Sequence, residues 1–192
     1  MDLLRRWLFA LLLAVAAMPA AAADCTPPVT FALPWAETTA PRDGWWADHR
    51  WRYRTDQEAE AAYQALAASQ SPWPIWHQSH IVALPVGLRF EMALGPGQSS
   101  ECPGAFGTFE RIRNVDYVRM WLAVKTEWKP VIDRVATYEV TAPLLADVGA
   151  VGPQVDLPAG RYLPGGASQF RMMVPAAERM RHLRVVGERP IE

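Results

Sequence analysis

Apolar positions first fall at helical spacing in residues 55–69, where Ala59, Ala62, Tyr63, Leu66 and Ala67 recur at intervals of three and four. Thr55 offers an N-cap, and Glu58 three residues on completes a capping box. Asp56, Glu58 and Glu60 suit the positive end of the helix dipole. Residues 81–94 read instead as a strand, interrupted at Pro85-Val86-Gly87. Residues 95–109 form a glycine-rich loop. Residues 114–128 are predicted as a second helix, with Val115, Val118, Met120, Trp121 and Val124 on one face. Strands are predicted at 135–140, within 144–153, at 170–174 and at 183–186, the last as an edge strand, with a helical turn opening at Pro175.

Two stretches stand outside this alternation. Residues 1–23 carry a basic pair, Arg5-Arg6, then a short apolar run and the small residues that precede signal-peptidase cleavage. They are predicted to be a signal peptide, and the run is short for a membrane span. Residues 24–41 are rich in proline and threonine, and read as an extended arm with one short strand at 29–33. The expected organisation is a single exported domain over 24–192, periplasmic or secreted, with no membrane span once the signal is removed. Its fold class is α+β. A helical, tryptophan-rich N-terminal lobe (24–80) lies beside a compact mixed or antiparallel sheet (81–192).

Charge and cysteine content narrow the picture. The formal net charge is −1, which argues against electrostatic nucleic-acid binding. The two cysteines, Cys25 and Cys102, form an even pair behind an export signal and are expected to be bridged. His77 and His80 are three residues apart, but no carboxylate or cysteine lies close by, so no metal is expected. Trp45, Trp46, Trp51 and Tyr53 alternate with arginines. They are expected to be structural aromatics whose arginines reach water, Trp51 included.

Candidate chemistry gathers at two places. In residues 163–170 (Leu-Pro-Gly-Gly-Ala-Ser-Gln-Phe) a proline and two glycines make a tight turn ahead of Gln169. An amide carries two donors and an acceptor, enough to fix a water or a hydroxyl. Arg89 is a charge within an apolar run. It is either a cleft arginine suited to phosphate or a strand arginine facing water with Phe90 turned inward.

These motifs carry a resemblance. The strand at 138–140, the Val-Gly-x-Val-x-Pro segment ending at Pro153, and the turn Pro164-Gly165-Gly166-x-x-Gln169-Phe170 resemble the tuberculosis necrotizing toxin family of secreted NAD glycohydrolases. So does the Leu84-Pro85-Val86-Gly87 stretch that leads to Arg89. The resemblance implies hydrolysis of the nicotinamide–ribose bond of NAD or NADP as substrate, with no cofactor. Gln169 would position the reacting ribose and water, and Arg89 would contact the pyrophosphate. Phe90, Gly165, Gly166 and Phe170 would belong to the substrate site, with Phe106 and Phe109 as further walls for nicotinamide. A dedicated immunity protein would be a partner. The chain lacks an arginine…Ser-Thr-Ser…Glu-x-Glu set, which favours hydrolysis over transfer to protein. The other reading is a non-catalytic periplasmic or envelope protein on the same scaffold, using its Trp/Arg surface for contact.

Overall fold

A computed structural model describes residues 40–192. The predicted signal, residues 24–39 of the extended arm with its short strand, and Cys25 lie outside the described residues, while residues 40 and 41, predicted as the end of that arm, begin a helix.

Helix α1 (Ala40–His49) runs into a 3-10 turn (Arg50–Arg52), and α2 spans Asp56–Ala67. The capping box is present at α2: Thr55 accepts from the Glu58 N–H, and the Glu58 side chain returns the bond. Ala59 and Tyr63 are its buried face. α1 is a helix where the sequence suggested only an aromatic layer. Of its tryptophans Trp45 is the buried one, packed on Tyr53 and Tyr63; Trp51, in the 3-10 turn, is 74% exposed and not the packed aromatic the sequence suggested.

Nine strands follow. Sheet order β1-β5-β8-β3 joins β1 (Ile81–Leu84), β5 (Leu144–Ala150), β8 (Ser168–Met172) and β3 (Phe106–Gly107). A three-stranded sheet joins β2 (Arg89–Leu94), β4 (Arg134–Val140) and β9 (Leu183–Pro190) in the order β2-β4-β9. β6 (Gln154–Asp156) and β7 (Arg161–Leu163) form a separate hairpin. All pairings are antiparallel, and the fold is α+β. The Pro-Gly interruption after Leu84 is where the chain leaves one sheet for the other. A single bridge, Glu91 to Thr108, ties the two sheets together.

Alternation along each strand sends one face into a common core. Leu84, Leu144, Ala146, Phe170 and Met172 from one sheet meet Phe90, Met92, Leu94, Tyr138 and Val140 from the other. The outer face of the three-stranded sheet carries a charge ladder, Arg89–Glu139–Arg184. The β6–β7 hairpin gives the helical lobe its seat, because Val155, Leu157 and Tyr162 pack with Trp45 and Tyr63. His49 and the Tyr162 hydroxyl meet at 2.7 Å.

The predicted second helix is shorter than expected. α3 covers only Val115–Met120, capped by the Asn114 side chain. Ala123 adopts φ 45, a left-handed conformation in which a helix cannot continue. The carbonyls of Met120 and Trp121 are taken by the N–H groups of Gly165 and Ala167. The glycine turn therefore closes a helix end from elsewhere in the chain, the service a C-cap usually provides locally. Among the described residues no helix is long and apolar enough to cross a membrane.

Candidate functional site

On β8, Phe170 and Met172 point into the core, so Gln169 and Arg171 point to the opposite face. Antiparallel register sets Gly149 of β5 beside Gln169, and Asp147 beside Arg171. A strap of residues 72–80 crosses this face. It lies close because the sheet offers glycines beneath it. A β-carbon on Gly149 would stand 2.6 Å from the His77 ring, and one on Gly152 would stand 2.5 Å from the Pro74 nitrogen. Trp73 stacks on His77 with centroids 4.2 Å apart. Asp147 is buried and fastens the far end of the strap, accepting the His80 N–H at 2.9 Å with His77 Nε2 3.4 Å away. Burial opposes its charge. Hydrogen bonds from His80, Ser79 and His77 outweigh that and hold the carboxyl below its usual range. At the near end, the Pro72 carbonyl accepts the Gly152 N–H at 2.8 Å and faces Gln169 Nε2 at 3.4 Å.

Gln169 and Pro72 form part of the wall of a cavity of about 400 Å³. β2 contributes Glu91 to Ala93, the glycine-rich loop contributes Gln98 and Phe106, and α3 and the loop after it contribute Val118, Leu122, Trp128 and Lys129. That last loop is held in shape by Arg119. Its guanidinium donates to the carbonyls of Val124, Lys125, Lys129 and Pro130, at 2.7 to 3.2 Å. Four acceptors occupy both terminal nitrogens of the group, so it serves as a scaffold.

Among the described residues two charged side chains line the cavity, Glu91 and Lys129. Glu91 is committed: Oε2 accepts the Ile112 N–H at 2.7 Å and Arg189 at 2.9 Å. Lys129 donates to Gln98 Oε1 at 2.6 Å. Among the described residues no carboxylate pairs with it. Burial, then repulsion from Arg119 and Arg134, push its ammonium down to about 8, with Asp133 opposing.

The residues singled out in the sequence separate here. Gln169 is in the cavity wall, 6% exposed. Arg89 is not brought to it. Its side chain is 66% exposed on the outer face of β2 and pairs with Glu139 at 2.9 Å, which is the water-facing alternative. Phe90 and Phe170 are core residues, edge to face at 4.9 Å, and do not line the cavity. Phe106 does line it, whereas Phe109 stacks on Phe170. Gly165 and Gly166 have φ 72 and 96, and donate to Met120 and Val151, not to open space. Cys102 closes the turn at 99–102 and is not a free thiol. His77 and His80 meet Asp147, a carboxylate distant in sequence, and no metal-holding cluster occurs among the described residues. Sequence reading missed Lys129, Arg119 and the Pro72 carbonyl. Only Lys129 left a trace, as one of two lysines in an arginine-rich chain.

No family model matches this chain, and no curated protein matches it. Among solved structures, a chain from the structure of Tne2 in complex with Tni2 is 24% identical with a TM-score of 0.53, covering 62% of this chain and 97% of that one. A chain from the structure of Tse6 in complex with Tsi6 is 14% identical with a TM-score of 0.39, covering 77% of this chain and 94% of that one. The likeness to the Tne2–Tni2 chain is one of fold.

Proposed function

We propose that this protein is an exported, toxin-like hydrolase that cleaves the nicotinamide–ribose bond of NAD or NADP. The observation that carries the reading is Gln169, nearly buried in the wall of a largely apolar cavity and held by one long contact. A cavity of about 400 Å³ falls within the usual ligand range of roughly 300–1,000 Å³. Departure of nicotinamide leaves an oxocarbenium-like ribose. Such a step needs an oriented water and a dry site more than a strong base. The Gln169 amide supplies orientation, and Phe106 supplies an aromatic wall. Arg89 has no place in this reading because its side chain lies outside the cavity. A protein inhibitor is a natural partner, since the similar Tne2 fold comes from a two-protein complex. The Cys25–Cys102 bridge would tie the mature N-terminus to the loop that forms one cavity wall.

The test is hydrolysis of a fluorescent NAD analogue by the disulfide-bonded mature chain. Gln169→Ala should lower kcat by at least about tenfold with a small change in KM, because the amide acts on the reacting centre. No hydrolysis by the folded wild type would end the reading.

One observation favours the alternative, an envelope contact protein. Arg52 lies between the Trp51 and Trp76 rings, 5.2 and 5.3 Å from their centroids, with Ile75 exposed beside them. That exposed surface would be its contact face. It would bind an envelope component with no loss on Gln169→Ala.

A further inference from the structure

We propose that Lys129 is the anion-binding group of the cavity and takes the phosphate oxygens of the ligand that enters it. The proposal deepens the dinucleotide reading above, resting on it only for the identity of that ligand. An ammonium has three donors. Lys129 uses one on Gln98, a neutral amide, and meets no carboxylate among the described residues. Lys129 is partly buried, and a partly desolvated cation without a counter-charge is costly, since charges drawn out of water are paired as a rule. The missing negative charge must come from beyond the described residues. Glu91, the one carboxylate lining the cavity, is held by the Ile112 N–H and Arg189. The neighbouring guanidiniums sharpen the demand. Both terminal nitrogens of Arg119 are taken up by four carbonyls, and Arg134 is paired with Asp133 and Glu188. Both add positive potential without being free to bind. The Gln98 amide nitrogen, on the side chain that already holds Lys129, is available as a second donor to the same anion. The competing cation is Arg171. It shares the face of Gln169 but is half exposed, lies 4.0 Å from Asp147, and does not line the cavity.

The experiment is calorimetric titration of the disulfide-bonded mature chain with inorganic pyrophosphate at pH 7. Wild type should bind one equivalent. Lys129→Met should weaken binding at least about tenfold, and Lys129→Arg, which keeps the charge, should stay within about threefold. Arg171→Met should bind as wild type does. Equal binding by wild type and Lys129→Met overturns the proposal, as does a loss confined to Arg171→Met or no binding by wild type. Thermal unfolding of each variant shows that it is folded. Hydrolysis of the NAD analogue by the same proteins separates the two ideas. Pyrophosphate binding that depends on Lys129 without hydrolysis leaves this site and ends the enzymatic reading. Hydrolysis with an unchanged KM in Lys129→Met does the reverse.

Discussion

Lys129 should cost the fold stability, and the cost can be measured without any ligand. Its ammonium titrates near 8 in the folded chain against 10.5 for an ordinary lysine. At pH 7 the charge is present in both states and is disfavoured in the folded one. A displacement of that size corresponds to roughly 3 kcal/mol. Lys129→Met removes the charge and keeps most of the aliphatic stem. It forfeits the hydrogen bond to Gln98, worth about 1 kcal/mol. The variant should therefore be more stable at pH 7 by roughly 2 kcal/mol. The pH dependence fixes the sign. Between about 8 and 10.5 the unfolded wild type holds a proton that the folded wild type has released, so its stability rises with pH in that window. The variant lacks this rise, and its advantage should vanish by about pH 10. Buried tyrosines such as Tyr138 are held protonated and cost stability above their normal range in both proteins, so the difference between the two curves is the measure. Urea unfolding followed by tryptophan fluorescence at pH 7, 8.5 and 10 reads it directly. Parallel curves for the two proteins, or a less stable variant at pH 7, would refute the reasoning.

Three further outcomes are expected. Gly165→Ala should destabilise by about 2 kcal/mol or more, because φ is 72 and the new β-carbon would sit 2.6 Å from the Gly152 carbonyl oxygen; an unchanged urea midpoint would show that the turn yields. Trp45→Ala should cost about 3–5 kcal/mol and Trp51→Ala under about 0.5 kcal/mol, following their burial; thermal melts that rank them the other way would contradict the packing of the lobe. Non-reducing mass analysis of exported protein should find it lighter than the reduced form by two thiol hydrogens, and native alkylation of both Cys25 and Cys102 would exclude the bridge.

What the sequence made legible was local. The α2 cap depends on Thr55 and Glu58, three residues apart, and a pattern of that reach can be read from the chain. The alternation that turns Phe90 inward also turns Arg89 outward, and both follow from strand periodicity. The early end of α3 was not legible, because Ala123 has no residue-type signature for φ 45 and the carbonyls of Met120 and Trp121 before it are capped from residues 165 and 167. α1 was obscured by Pro41 and Gly44 near its start. Gln169 announced itself because a turn precedes it. Lys129 did not, since what distinguishes it is a missing partner, and Glu127 and Asp133 flank it closely in sequence without pairing with it. The cavity draws its walls from five separate stretches that only the folded sheets bring together.

The Pro72 carbonyl has a further consequence. An oxygen with two lone pairs serves the Gly152 N–H at 2.8 Å and Gln169 at 3.4 Å, so the two bonds are unequal. If the amide swings toward an incoming molecule, the carbonyl keeps its stronger partner and no polar atom is orphaned. Under the proposed reading Gln169 would be parked, not locked: the strap holds its amide by a single long contact that it could give up at little cost. A residue replaced at the strap, even one that never meets substrate, would change how ready that amide is to leave.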